Sequence, residues 1–87
     1  MHEFSLMADL FRKIDSISQD NEQAKILVVR VKLGALSHIT PTHFSEHFNE
    51  FSNGTVAEGA MLEVIQLEDK QDPNAQDIIL DSVELAA

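Results

Sequence analysis

Four histidines carry the metal chemistry this sequence can offer: His2, His38, His43 and His47. Neutral imidazole is the commonest metal ligand among side chains, and no cysteine competes with it. His2 and Glu3 follow Met1 directly, so an α-amine, an imidazole, a carboxylate and backbone amides fall within three residues. His43 and His47 stand four apart, a spacing that projects two side chains from one side of a helix. Two imidazoles placed that way can chelate zinc or nickel; they also read as ordinary helix-surface or core-edge residues. The stretch "HFSEH" is not the HExxH of zinc proteases, because Phe44 stands where the catalytic glutamate must follow the first histidine. His38 lies in a loop, where it can complete a metal site or stay idle. No nucleophile is framed: the serines lack a glycine elbow, and the spaced glycines and lysine of a phosphate loop are missing. Asp77 and Asp81 read as alternate solvent-facing residues of a strand. These residues predict no enzyme.

The elements that must position them follow from apolar spacing. Leu6, Met7, Leu10, Phe11, Ile14 and Ile17 make one stripe, which predicts an amphipathic helix from Ser5 to about Gln19, with Ser5 as its N-cap. Residues 1–4 then lead in as an extended segment or short strand. "KILVVRVKLGAL" (25–36) predicts a central strand ending at Gly34, with Leu27, Val29, Val31 and Leu33 on one face and Arg30 and Lys32 on the other. Thr40 and Pro41 suit the N-cap and first position of a second helix. Phe44, Phe48 and Phe51 share one face of it, and "SNGT" (52–55) closes it. "AMLEVIQLE" (60–68) and "DIILDSVEL" (77–85) predict two more strands, joined as a hairpin through the Asp-Pro-Asn turn of "DKQDPNAQ". The expected class is α+β: two helices packed on one face of a small, mostly antiparallel, three- to four-stranded sheet.

At 87 residues the chain has room for a single domain, residues 1–87. Fifteen acidic residues against six basic ones set a formal charge of −9, which argues against nucleic acid and against an anionic membrane surface. With no secretory pattern at the start and no long apolar run, the cytoplasm is the expected compartment.

With those blocks laid out, the chain resembles the hydrogenase nickel-incorporation proteins of the HypA/HybF family. "MHEFSL", "VRVKLGALS", "GTVAEGAMLEV" and "LDSVEL" carry the resemblance, in that order and over nearly the whole chain. The resemblance implies a nickel metallochaperone that delivers Ni(2+) to [NiFe]-hydrogenase, or in some organisms to urease. Its expected partners are a hydrogenase large-subunit precursor and a nickel-delivering GTPase. It also implies nickel held at Met1, His2 and Glu3, through the imidazole, the backbone nitrogens of residues 2 and 3 and the terminal amine. Nitrogen donors of that strength favour square-planar nickel(II).

One departure is large. Relatives ordinarily insert a zinc ribbon with two CxxC pairs between the last two strands, and here the turn at 69–76 stands in its place, so no structural zinc is expected. A second is local: some relatives carry an acidic residue where this chain has "SHITP", which makes His38 a candidate additional ligand. His43 and His47 stay open as a second site. The competing reading is an interaction module without metal transfer, which scaffolds a hydrogenase subunit or regulates a full-length relative through the Phe44, Phe48 and Phe51 face and the sheet edges. Those edges leave room for a homodimer.

Overall fold

Strand β1, Ile26–Leu33, is the apolar run about which the chain is built. The computed structural model describes residues 2–86, with side chains from Ser5 onward. The order is α1 (His2–Asp20), β1, α2 (Pro41–Ser52), β2 (Met61–Gln66) and β3 (Ile78–Leu85). β1 lies in the middle of the sheet, between β2 and β3. It pairs in parallel with β2, from Val28 opposite Met61 to Leu33 opposite Gln66. With β3 it pairs antiparallel, from Ile26 opposite Leu85 to Leu33 opposite Ile78. The α+β class is as expected, but the sheet is mixed rather than mostly antiparallel. A parallel pair needs a crossover between its strands, and α2 supplies it.

The expected hairpin between the last two strands does not form, because β2 and β3 lie on opposite sides of β1. Residues 67–77 instead cross the C-terminal end of β1 in a run of tight turns. The Asp69 carboxylate accepts from the Gln71 amide at 2.9 Å and the Asp72 carboxylate from the Asn74 amide at 2.7 Å. Such Asx turns bend the chain locally without dictating which strand comes next. Three backbone bonds seat the crossing segment on the strand end: Leu67 N to Leu33 O at 2.8 Å, Gly34 N to Asp77 O at 2.9 Å and Leu36 N to Ala75 O at 2.7 Å. Gly34 is required by this approach, since a Cβ there would stand 2.2 Å from the Ala75 oxygen.

Two further expectations change. α1 begins at His2 rather than at Ser5, so residues 2–4 are helical and, among the described residues, no strand precedes the helix. Serine is tolerated inside a helix at small cost, so Ser5 need not end it. On β1, Leu27 is exposed and Ile26 is buried in its place. A register shift between Ile26 and Val28 opposite β3 causes the swap, because one extra residue reverses the facing of those before it.

Both helices cover one face of the sheet. Met7, Leu10 and Ile14 of α1 and Phe44 and Phe48 of α2 form one core with Ile26, Val29, Val31 and Leu33. Each fully buried side chain of this size contributes about 1.5–3 kcal/mol relative to exposure. On the other face, Arg30 donates to Glu63 at 3.2 Å, to Ser82 at 3.3 Å and to Glu84, while Lys32 lies 3.4 Å from Asp81. The Glu84 hydrogen bond, aided by the charge of Glu63, raises the Arg30 pKa above its ordinary value against a smaller opposing effect of burial. Leu27, Met61 and Ile65 are exposed apolar residues, the last two outward on β2.

Candidate functional site

His2 opens α1, and that position decides what its backbone can do. The first four N–H groups of a helix have no acceptor within it, so the amides of His2 and Glu3 are not committed to the helix ladder. The positive end of the helix dipole also favours negative charge there, the sign an amide acquires when it loses its proton to bind a metal. Met1 and the side chains of His2 and Glu3 lie outside the described residues.

A cleft of about 540 Å³ opens beside this end of α1, lined by Ser5, Leu6, the loop residues Leu36, Ser37 and His38, and Gln76 and Asp77. Three segments meet in it: the first turns of α1, the loop after β1 and the end of the crossing segment. The loop is tied at both ends. The Leu36 amide is bound to Ala75 O, and Ile39 is buried. Between these anchors the exposed His38 adopts φ 62°, the left-handed region that few residues other than glycine and asparagine enter readily. Beside it, Ser37 Oγ is buried and has no hydrogen-bond partner. His38 thus lines the cleft together with Ser5 and Leu6 of α1.

Asp77 is exposed, as its solvent-facing reading expects, but it lies outside the strand. It precedes β3, its carbonyl oxygen accepts from Gly34 N, and it borders the cleft with His38. No local signal could reveal this, since the contact exists only because residues 67–77 cross the sheet. Among the described residues no group of three or more His, Asp or Glu side chains is arranged to hold a metal ion.

His43 and His47 are brought together, but on α2. Their rings stack with centroids 4.5 Å apart and planes inclined by 26°. Thr40 caps the helix, its hydroxyl oxygen accepting from the His43 amide at 3.1 Å, with Pro41 in the first turn. Phe44 and Phe48 are fully buried, and Phe11 of α1 packs on Phe48 and Phe51 at 5.0 and 5.5 Å. The phenylalanine face that an interaction module would present is thus core, because α1 covers it. Among the described residues no helix is long and apolar enough to cross a membrane.

Comparison with known proteins bears on the family and the fold. Residues 1–72 match the family model described as "Hydrogenase/urease nickel incorporation, metallochaperone, hypA". The chain is 37% identical over 67 residues to the hydrogenase maturation factor HypA of Desulfitobacterium hafniense, an alignment that takes in 77% of this chain and 59% of that one. It is 39% identical over 62 residues to the HypA of Aquifex aeolicus, covering 71% of this chain and 54% of the relative. The chain thus spans less than two thirds of the length of these curated relatives. The solution structure of the Ni metallochaperone HypA from Helicobacter pylori superposes with a TM-score of 0.78 at 20% identity, covering 100% of this chain and 99% of that one. At that identity the likeness establishes the fold.

Proposed function

The chain belongs to the HypA family of hydrogenase/urease nickel-incorporation proteins, and on that premise we propose that it binds Ni(II) as cargo at its first three residues and passes it on during [NiFe]-hydrogenase maturation. The observation that carries the reading is the place of His2 and Glu3 at the start of α1, beside the His38 cleft and inside the matched segment. The His2 imidazole, the amides of His2 and Glu3 and the Met1 amine supply nitrogen donors of the kind that hold nickel(II) in a square plane. The Glu3 carboxylate acts from the outer shell, and His38 reaches the same end of the helix from its loop as an additional ligand. Delivery then needs a recipient that strips the metal from this ligand set. The recipient is a hydrogenase large-subunit precursor, reached together with a nickel-delivering GTPase in the cytoplasm. The protein acts by binding and transfer, not by catalysis, and the proposal involves no structural zinc, since the 87 residues contain no cysteine ligand.

Nickel titration of the chain beginning at Met1, followed by visible absorption, tests the site. One equivalent with a square-planar band is expected, and His2→Ala should remove that band. An unchanged band in His2→Ala would overturn the assignment. A second reading, a scaffold without metal transfer, draws on the exposed Leu27, Met61 and Ile65 now that the phenylalanine face is core. Capture of the hydrogenase precursor that survives both His2→Ala and nickel chelation would favour it.

A further inference from the structure

We propose that the free edge of β2 docks an extended segment of another protein, which adds to the sheet as a further strand. The segment it fits carries a basic residue between two apolar ones, at every second position. The inference rests on the sheet alone and stands whether or not the N-terminal site is as proposed.

The two outer strands of the sheet are not alike. An edge strand presents unpaired N–H and C=O groups, and folded proteins ordinarily blunt it with a bulge, a proline or a lysine. β3 is blunted in this way. Its ladder with β1 shifts register twice, and Asp81 is an extra residue between the pairs Arg30–Ser82 and Val31–Leu80. β2 has none of these devices. It pairs with β1 without a break from Met61 to Gln66 and contains neither proline nor lysine. Among the described residues no strand lies beyond it.

The side chains select the occupant. Strand alternation turns Leu62 and Val64 toward the core and Met61, Glu63 and Ile65 to the open face. Met61 is 63% exposed and Ile65 51%, so a neighbouring strand has apolar surface to bury. Between them, Glu63 accepts from Arg30 through Oε1, and a carboxylate has about four acceptor sites, which leaves room for a second cation. Glu58 and Glu68 stand five positions to either side, with Asp69 beyond, and residues 58–69 contain no lysine or arginine. A second copy is therefore a poor partner: it would set this acidic edge against itself, with a charge of −9 on each chain. A segment with lysine or arginine opposite Glu63 and apolar residues beside Met61 and Ile65 meets both demands. Backbone bonds along the edge would supply affinity, and the alternate side chains would supply specificity.

Two synthetic peptides test the edge in nickel-free buffer with a chelator present. In the first, valine, lysine and isoleucine alternate with threonine; in the second, glutamate replaces the lysine. Anisotropy of the labelled peptide measures binding, and amide hydrogen exchange locates it. The lysine peptide should bind the whole chain and slow exchange within residues 61–66, and about 1 M salt should weaken it. The glutamate peptide should bind at least about 10-fold more weakly. Met61→Thr/Ile65→Thr, which keeps strand propensity but removes the apolar contacts, should weaken the lysine peptide by about 10-fold. Glu63→Lys should reverse the preference in favour of the glutamate peptide, a result that misfolding cannot produce. His2→Ala should bind the lysine peptide like wild type, so failure of the nickel site leaves this edge untouched. No binding of the lysine peptide, equal binding of the two peptides, or protection outside residues 61–66 would overturn the proposal. Protection of residues 61–66 that rises with protein concentration in the absence of peptide would also overturn it, by making a second copy the occupant.

Discussion

Gly34→Ala is the substitution that most directly tests how the crossing segment is seated. Alanine adds one methyl group, which would lie 2.2 Å from the Ala75 oxygen, 2.5 Å from its carbonyl carbon and 2.8 Å from the Asn74 oxygen. All three are backbone atoms, so no side chain can swing aside. Relief to ordinary contact needs a displacement of about 1 Å, which strains or breaks the bonds from Gly34 N to Asp77 O and from Leu36 N to Ala75 O. Losing two such bonds costs about 1 kcal/mol each, and overpacking adds about 1–3 kcal/mol. Against this, alanine restricts the unfolded chain and returns about 0.4–1 kcal/mol. The expected net loss is about 2–4 kcal/mol, or roughly 8–30 °C in Tm for a domain of this size. Urea and thermal unfolding followed by circular dichroism measure it. Gly54→Ala is the control: nothing lies within 4 Å of its Cβ, and its φ of +80° confines the cost to backbone strain of about 1–2 kcal/mol. A Gly34→Ala protein as stable as wild type, or less affected than Gly54→Ala, would refute the proposed seating of residues 74–77.

Three smaller predictions come from the same contacts. Thr40→Ala removes the hydroxyl that accepts from the His43 amide and should cost about 1 kcal/mol in urea unfolding. Phe48→Ala empties a fully buried position at about 3–5 kcal/mol; a domain of this length has roughly 4–13 kcal/mol to lose, so the variant should be largely unfolded near 45 °C by near-ultraviolet dichroism. Arg30→Met should lower Tm modestly, and the difference should shrink in about 1 M salt. Glu84 and Glu63 raise the Arg30 pKa, so its contribution is complete below the unfolded-state value and is lost only as pH rises through the still higher folded-state one. The Tm difference should therefore stay constant between about pH 7 and pH 10.

What sequence reasoning reaches here is local, and what it misses is long-range. Thr40, Pro41 and the phenylalanine spacing locate α2 to the residue, because capping and periodicity are properties of neighbouring positions. The aliphatic runs locate all three strands for the same reason. Their neighbours are another matter. Asp69, Asp72 and Pro73 mark turns, yet the same turns serve a hairpin or a crossing segment, and burial of β1 between two partners decides between them. Leu27 follows the alternation that puts it inside, until a bulge set by β3 reverses it. Gly34 looks like a strand terminator, whereas its constraint is Ala75, about forty positions away. Ser5 resembles a cap but lies within α1. At the candidate sites, the pairing of His43 with His47 was legible from their spacing. That His38 and Asp77 line one cleft was not, because it depends on the route of residues 67–77.

The packing of α1 against β3 has a consequence for synthesis. A ribosome makes the helix that begins at His2 well before the strand that ends at Leu85, yet the helix rests on that strand. While the nascent chain grows, β1, α2 and β2 form a contiguous unit that can assemble as it emerges, but α1 lacks much of its platform until β3 clears the exit tunnel. The residues of α1 are thus made early and fixed in place late, only after β3 has emerged.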